Sequence, residues 1–197
     1  MSESLRLPRP FFARHTLEVA RDLLGTRLVR IEEDGTRVAG RIVETEAYRS
    51  EEDQGCHARA GRTDRTEVMY GPPGFAYVYF VYGMHWMLNV VTEQEGMPGA
   101  VLIRALEPLE GLDRMAQRRE GQPQRQWTDG PAKLCQALSV DGSMNAYDLC
   151  GSESKLFVEE GEDVSDQEVK KTSRIGLNSV PEPWKSIPWR FVVKEHS

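Results

Sequence analysis

Two glutamates near the end of a predicted strand could do acid–base chemistry. Glu44 and Glu46 are two residues apart in the segment Ile42-Val-Glu-Thr-Glu-Ala-Tyr48. Because strand side chains alternate, both carboxylates share one face, and Tyr48 shares it if the strand continues that far. His57 follows in a polar loop. A carboxylate beside an aromatic ring and an imidazole could form a site.

The acidic residues that follow this segment have a simpler interpretation. Charged residues are mostly exposed, so an acid at a strand end is usually a solvated surface group. Glu51, Glu52 and Asp53 fit that description and are predicted to be solvated. Glu46 differs from them because of the aromatic and basic residues found further along the chain.

A run of aromatic and β-branched residues from Phe75 to Val91 predicts a long β-hairpin. The run is interrupted by Gly83, so Tyr82 is expected where the chain turns. Tyrosines within strands usually pack in a core. A tyrosine at an exposed tip is harder to explain in that way, since exposed aromatic residues tend to bind something.

The register of this hairpin decides which side chains can share a pocket. A two-residue turn at 83–84 would place Tyr79 opposite Leu88, with Asn89 on the other face. A three-residue turn at 83–85 would place Tyr79 opposite Asn89. A pocket that contains both side chains needs the second register or a bulge.

The elements before this hairpin are expected to form its scaffold. Segments 26–31 and 37–45 are rich in Val, Ile, Leu and Thr and are joined through Asp34-Gly35, which predicts a first hairpin. Thr16 is the expected N-cap of a helix over residues 17–24, whose apolar residues form one face.

The elements after it bring further candidate residues. A third strand at 100–106 carries Arg104 in its middle, either as an edge residue or as the partner of a carboxylate such as Glu107. A helix is expected from Pro108 to Arg119, with positions 109, 112, 115 and 116 buried. A second helix begins near Pro131, and strands are expected at 155–159 and 189–194.

Composition and cysteine content describe an ordinary globular chain. The 197 residues suffice for one domain, 39% of them are hydrophobic and 28% are charged. No apolar run approaches the roughly 18 residues of a membrane helix, and the first ten residues lack an apolar signal core, so an intracellular protein is expected. Cys56, Cys135 and Cys150 are expected to be free thiols, without a structural metal.

The net charge of −6 and the pI near 5.4 argue against a protein that holds nucleic acid by bulk charge alone. The charge is distributed unevenly, however. Acidic residues concentrate in segments 32–52 and 153–168, whereas arginine dominates in segments 6–30, 59–65 and 114–125. A basic face on an acidic protein is therefore compatible with the sequence.

Several motifs, taken together and in this order, resemble the alkyladenine (3-methyladenine) DNA glycosylase family from about residue 10 to residue 193. They are Glu44-Thr-Glu-Ala-Tyr48, His57, Tyr77-Val-Tyr79, Tyr82-Gly-Met84, Asn89, Arg104-Ala-Leu-Glu-Pro-Leu-Glu-Gly111, Gly130-Pro-Ala-Lys-Leu-Cys-Gln-Ala-Leu138 and Trp189-Arg-Phe191. The resemblance implies a single mixed α+β domain over residues 1–197, with a curved antiparallel sheet, flanking helices and a hairpin that enters the DNA minor groove.

The resemblance also implies a role for each candidate residue. Tyr82 and Met84 would intercalate where a nucleotide has been flipped out. The expelled base would be held by Tyr48, His57 and Tyr79, while Asn89 would exclude the amino group of normal guanine. Glu46 would activate water, Arg104 would position that water and hold a backbone phosphate, and Lys133 would contact DNA unless it is an ordinary surface lysine.

The implied reaction is removal of an alkylated or deaminated purine from double-stranded DNA by a monomer that needs no cofactor and no metal. Flipping costs roughly a few kcal/mol, which a wedge and an aromatic pocket recover. Stacking contributes about 1–3 kcal/mol per base and suits cationic alkylated purines. Because no lysine lies in the motifs near Glu46, hydrolysis without a Schiff base is expected.

Two other functions remain open at this point. A non-enzymatic DNA-binding module could use the same aromatic hairpin to stack on bases, with Glu46 as a surface acid. Alternatively, Glu44 and Glu46 could act as an acid–base pair on nucleosides or sugars, provided that the fold separates their carboxylates.

Overall fold

The computed structural model describes residues 6–194, so the beginning of the N-terminal arm and residues 195–197 lie outside the described part. Within this range one antiparallel sheet contains eight strands. They are β1 Arg27–Ile31, β2 Arg37–Arg49, β3 Ala76–Val81, β4 His85–Val91, β5 Gly99–Glu110, β6 Leu156–Glu159, β7 Val169–Thr172 and β8 Arg190–Val193. The expected mixed α+β class with an antiparallel sheet is confirmed.

Four short α-helices accompany the sheet in the described range. They are α1 Arg9–Phe12, α2 Thr16–Asp22, α3 Leu112–Arg118 and α4 Pro131–Ala137, and short 3-10 turns include His57–Ala60 and Glu67–Tyr70. Helix α2 packs against β2 and β5, and α4 packs against β4 and β5. Their apolar residues and the covered strands form the main hydrophobic core.

Strand β2 is the centre of the sheet because it pairs with β1, β5 and β8. Bulges lie near residues 42–45, which bends this long strand and lets β8 pair with its second half. Thr45 and Ala47 are buried on the core side, where the Thr45 hydroxyl donates a hydrogen bond to the Ala20 carbonyl at 2.7 Å. Glu44 and Glu46 therefore share the opposite face, as expected from the alternation.

The hairpin of β3 and β4 has a register that neither sequence-based alternative included. Its three-residue turn is Tyr82-Gly83-Met84, so Tyr79 lies opposite Met87 and Tyr77 lies opposite Asn89. The turn begins one residue earlier because Tyr82 itself adopts a left-handed φ of 52°. Since Tyr77 and Tyr79 are on one face, Asn89 joins that face without a bulge.

The segment that follows Arg104 also differs from its prediction. Strand β5 continues to Glu110 and the helix begins only at Leu112, after Gly111 with a φ of +69°. Pro108 is tolerated in the strand because it lies beside an irregularity of the β2–β5 ladder. Of the four residues expected on a buried helix face, Met115 alone is fully buried.

Helix α2 begins one residue earlier than expected. Thr16 is its first residue, and His15 is the N-cap, with Nδ1 accepting a hydrogen bond from the Leu17 amide at 3.3 Å. The Thr16 hydroxyl instead donates to Glu93 at 2.8 Å. The two late strands are confirmed, β6 and β8 each beginning one residue after its predicted start.

Candidate active site

A cavity of about 250 Å³ lies between the hairpin, the end of β2, the first half of β5 and the loop that follows β7. Six predicted site residues line it: Tyr48, His57, Tyr79, Tyr82, Asn89 and Arg104. The lining also includes Tyr77, Met87, Pro131 and residues Ile175, Gly176 and Leu177. The structure thus brings together side chains that are up to about 130 positions apart in the chain.

Glu46 is held directly beneath this cavity with no exposed surface. Its Oε2 accepts a hydrogen bond from the Tyr48 hydroxyl at 2.7 Å and one from Nη1 of Arg104 at 3.3 Å. Its Oε1 accepts a hydrogen bond from the backbone amide of Ile175 at 2.7 Å. All three donors belong to residues that line the cavity, so the carboxylate is oriented from the cavity side.

Glu44 and Arg104 form the second part of this charged cluster. Nε of Arg104 donates to Glu44 at 2.7 Å, and Nε of Arg190 donates to the same oxygen at 2.6 Å. Arg104 is therefore shared by both glutamates, whereas Glu107, the partner considered from the sequence, pairs with Arg41. Burial opposes the charge of Arg104, but the two glutamates outweigh that effect and raise its pKa.

Aromatic rings form the opposite walls of the cavity. The His57 ring lies edge-on to Tyr79 with 4.6 Å between centroids, and its Nδ1 shares a hydrogen bond with the Tyr77 hydroxyl at 2.9 Å. Burial raises the pKa of Tyr79 and of Tyr77. Burial and the charge of Glu46 raise the pKa of Tyr48, so its hydroxyl stays protonated and available as a donor.

The hairpin tip is the most exposed part of this site. Tyr82 has 88% of its surface exposed and Met84 67%, although both are large and apolar. Lower on the hairpin, Nδ2 of the buried Asn89 donates to the Tyr77 carbonyl at 3.0 Å. The amide is therefore fixed while the tip is free to contact another molecule.

Sequence comparison places this chain in a known family. The model of the methylpurine-DNA glycosylase (MPG) family matches residues 10–197 of the chain. The chain belongs to this family. The resemblance noted from the motifs is therefore confirmed, and so is the enzyme class that it implied, a hydrolase of N-glycosyl bonds.

Relatives from several organisms agree with this assignment of the glycosylase. Chains from Carboxydothermus hydrogenoformans and Desulfitobacterium hafniense are 49% and 50% identical to it, with 96% of each chain covered in both comparisons. A chain from Methanocella arvoryzae is 50% identical over 95% of this chain and 92% of its own length. All three carry the name "Putative 3-methyladenine DNA glycosylase".

Asp53 departs most clearly from what the sequence of this glycosylase predicts. It was expected to be solvated, but its carboxylate is fully buried and receives two hydrogen bonds from Arg174, at 2.5 and 2.7 Å. The reason is a partner 121 positions away, which no local pattern indicates. The nearest signal in the sequence is Gly176, two residues after Arg174, and both Ile175 and Gly176 line the cavity.

One further prediction concerns a residue near the glycosylase site. Lys133 lies on α4 and pairs with Asp129 at 2.8 Å, outside the cavity. Its contact with DNA stays a prediction.

In the part of the chain that the structure describes, no helix could cross a membrane and no group of three potential metal ligands occurs. All three cysteines are free thiols.

His57 gives the glycosylase a pH-dependent stability that can be measured. Burial, together with Arg65 and Arg59, lowers the pKa of His57 to about 4 from an ordinary value of 6.5. The unfolded chain therefore binds more protons between these values, and acid favours unfolding. We expect the wild type to lose more stability than His57→Gln in urea unfolding when the pH falls from 7.5 to 4.5.

His85 provides the control for this measurement because it is exposed at the hairpin tip. His85→Gln should show the same loss of stability between the two pH values as the wild type. Equal pH dependence of His57→Gln and the wild type would contradict the assignment of a neutral, half-buried imidazole.

Proposed function

We propose that this glycosylase removes 3-methyladenine, 7-methylguanine, hypoxanthine or ethenoadenine from duplex DNA and leaves an abasic site. Glu46 activates the water that cleaves the N-glycosidic bond. The observation that carries this proposal is a fully buried carboxylate, held by three donors, beneath an aromatic cavity. Membership of the methylpurine-DNA glycosylase family supports the class of reaction.

The hairpin supplies the means of expelling a base from the helix. An enzyme that acts on a base within a duplex must first unstack it, which costs roughly a few kcal/mol. Inserted apolar wedges are a common way to stabilise the opened stack. Tyr82 and Met84 are large, apolar and exposed at the tip, and Tyr82 also lines the mouth of the cavity.

The cavity suits one flat, electron-poor ring. At about 250 Å³ it is small beside the roughly 300–1,000 Å³ of typical ligand pockets. Tyr48, His57 and Tyr79 offer ring surfaces on which a purine can stack. His57 is neutral at physiological pH, so it does not repel a cationic alkylated base. The fixed amide of Asn89 would meet the exocyclic amino group of normal guanine.

The charged cluster fits hydrolysis of the glycosidic bond. The bond between C1′ and the base breaks with its electron pair leaving on the base, and positive charge develops on the sugar. Glu46 stabilises that charge and accepts the proton of the water whose oxygen bonds to C1′. Arg104 lines the cavity and also donates to Glu46 at 3.3 Å, so it is placed to hold the water beside Glu46.

No Schiff base is needed for this reaction. Among the described residues that line the cavity there is no lysine, which is consistent with a glycosylase that leaves the strand intact. We propose that the enzyme works as a single-domain monomer on double-stranded DNA. Lys133 would assist by contacting a phosphate, and Arg104 would hold a phosphate beside the cleaved nucleotide.

The acid–base pair on a nucleoside or sugar is the weaker alternative. Such a pair needs two carboxylates that flank the cleaved bond. Glu46 accepts hydrogen bonds from three residues that line the cavity, Tyr48, Arg104 and Ile175. Glu44 accepts from one of these, Arg104, and from Arg190. Glu44 is therefore placed to orient Arg104. The binding-module alternative leaves the burial of Glu46 without a purpose.

Base release from a defined duplex tests the proposed function. The wild type is incubated in excess with a duplex that carries one hypoxanthine or one ethenoadenine. We expect free base and an abasic site, which alkali then converts into a strand break. Without alkali the strand should remain intact. A wild type that binds this duplex and alkylated DNA but releases no base would favour the binding module.

Tyr82→Ala tests the wedge. We expect the single-turnover rate of base release from duplex DNA to fall roughly 10- to 100-fold. The reason is that alanine cannot supply the stacking of about 1–3 kcal/mol by which the Tyr82 ring stabilises the gap left by the flipped base. The rate on single-stranded DNA should change little, since no gap needs filling there. Met97→Ala serves as the control, because Met97 is an exposed apolar residue outside the cavity. Equal losses on both substrates would contradict the role in flipping.

A further inference from the structure

Arg174 is a buried cation behind the cavity that the proposed reaction does not use. Its guanidinium donates to both oxygens of Asp53, at 2.5 and 2.7 Å, and to the Ala47 carbonyl at 3.0 Å. Neither side chain of the ion pair has exposed surface. Because burying two charges is expensive, an ion pair of this kind needs a structural or functional reason.

The same guanidinium lies over the ring of Tyr48, 4.7 Å from its centroid, and over Trp189 at 5.2 Å. Tyr48 lines the cavity but Arg174 does not. The Arg174 guanidinium therefore covers one face of the Tyr48 ring, and the rest of the ring surface remains available to a base. The hydroxyl of the same Tyr48 side chain donates to Glu46.

Arg174 also directly precedes a second donor to Glu46 in the chain. The next residue, Ile175, donates its amide to Oε1 of Glu46 at 2.7 Å. This loop is tied to strand β2 and to the Trp184 carbonyl by the Arg174 side chain. Two of the three residues that donate to Glu46 thus adjoin Arg174: Tyr48 lies against its guanidinium, and Ile175 follows it in the chain.

We propose, building on the function proposed above, that Arg174 is a positioning residue for base excision. Held by Asp53, it fixes the Tyr48 ring and the Ile175 amide around Glu46. Arg174 touches neither the base nor the water itself. Since a displacement of about 1 Å at a reacting group can cost about 100-fold in rate, small movements of these donors should slow the reaction.

Arg174→Lys tests this role, and Arg9→Lys is its matched control. Arg9 also donates to both oxygens of an aspartate, Asp148, and lies 5.0 Å from the centroid of Phe75, but it is outside the cavity. The measurements are the melting temperature, the affinity for a duplex with one hypoxanthine, and the single-turnover rate of base release.

We expect Arg174→Lys to slow base release about 10- to 100-fold while the affinity for the duplex changes less than about threefold. Arg9→Lys should leave both quantities near the wild-type values. A purely structural role would instead lower rate and affinity together, in step with the melting temperature. That result, or a wild-type rate for Arg174→Lys, would overturn the proposal.

A second variant keeps the test valid if Arg174→Lys does not fold. The double variant Arg174→Met with Asp53→Asn removes both charges together and leaves no stranded ion, so a folded protein is expected. It should bind the duplex but release base at least about tenfold more slowly. Wild-type activity in this variant would overturn the positioning role while leaving the proposed function intact. An inactive wild type would overturn both.

Discussion

Glu46→Gln should lower the single-turnover rate of base release by roughly 10³- to 10⁴-fold, with affinity for damaged duplex changed less than about threefold. General base catalysis typically contributes 10²- to 10⁴-fold, and loss of electrostatic stabilisation of the developing charge adds to this. Glutamine has the same shape but cannot accept the proton. The measurement is release of hypoxanthine from a duplex by excess enzyme.

The surroundings of Glu46 make this substitution a mild one for the fold. A glutamine oxygen can still accept from the Ile175 amide, and its amino group can donate to the Tyr48 hydroxyl, which can turn to accept. Arg104 retains its contact with Glu44. The loss should therefore appear in the rate of reaction, whereas folding and binding remain.

Glu44→Gln is the matched control for this experiment. The two glutamates are on the same face of β2 and share Arg104. Because Glu44 contacts the cavity lining through its hydrogen bond from Arg104, its substitution should slow the reaction less than about tenfold, through a less firmly oriented Arg104. Equal and large losses for both variants would support the acid–base pair. A wild-type rate for Glu46→Gln would contradict the role of Glu46 as the general base.

The parts of the site that the sequence predicted depend on local geometry. Alternation along β2 was enough to place Glu44, Glu46 and Tyr48 on one face. A glycine within an aromatic run was enough to place Tyr82 at the hairpin tip. The folded structure keeps these placements because they follow from the alternation of side chains along a strand and from the turn, whatever packs against them.

The parts that the sequence missed depend on tertiary contacts. The hairpin register required Tyr82 to adopt a left-handed φ, which a tyrosine rarely does. The segment after Arg104 contains helix signals, yet it extends β5 because the long strand β2 provides a partner as far as Glu110. Neither outcome is encoded in the residues immediately around it.

The burial of Asp53 is the strongest example of such a contact. Its neighbours Glu51 and Glu52 are exposed, so composition alone predicts an exposed loop. The loop instead turns inward at Asp53. The Oδ1 atom of Asp53 accepts hydrogen bonds from the Gly55 amide at 2.9 Å and from Arg174 at 2.7 Å. A buried aspartate requires a cation, and this cation comes from the far end of the chain.

Asp53→Ala should therefore destabilise the protein by about 3–5 kcal/mol, because it leaves the Arg174 guanidinium buried without a counter-charge. For a chain of 197 residues this corresponds to a melting temperature lower by roughly 6–20 °C. Chemical unfolding in urea, with the melting temperature as a second measurement, checks this expectation. Addition of damaged duplex should recover part of the loss if the bound state holds the same loop.

Asp148→Ala separates the effect of burial from the loss of an ion pair. Asp148 also receives two hydrogen bonds from one arginine, Arg9, but about a third of each side chain is exposed. Water can solvate the remaining arginine, so a loss near 1 kcal/mol or less is expected. If both alanine variants were equally stable, the cost would not come from a stranded charge. The large loss of stability expected for Asp53→Ala and the small loss expected for the double variant Arg174→Met with Asp53→Asn have the same origin. Asp53 stabilises the protein because the buried guanidinium of Arg174 needs a counter-charge.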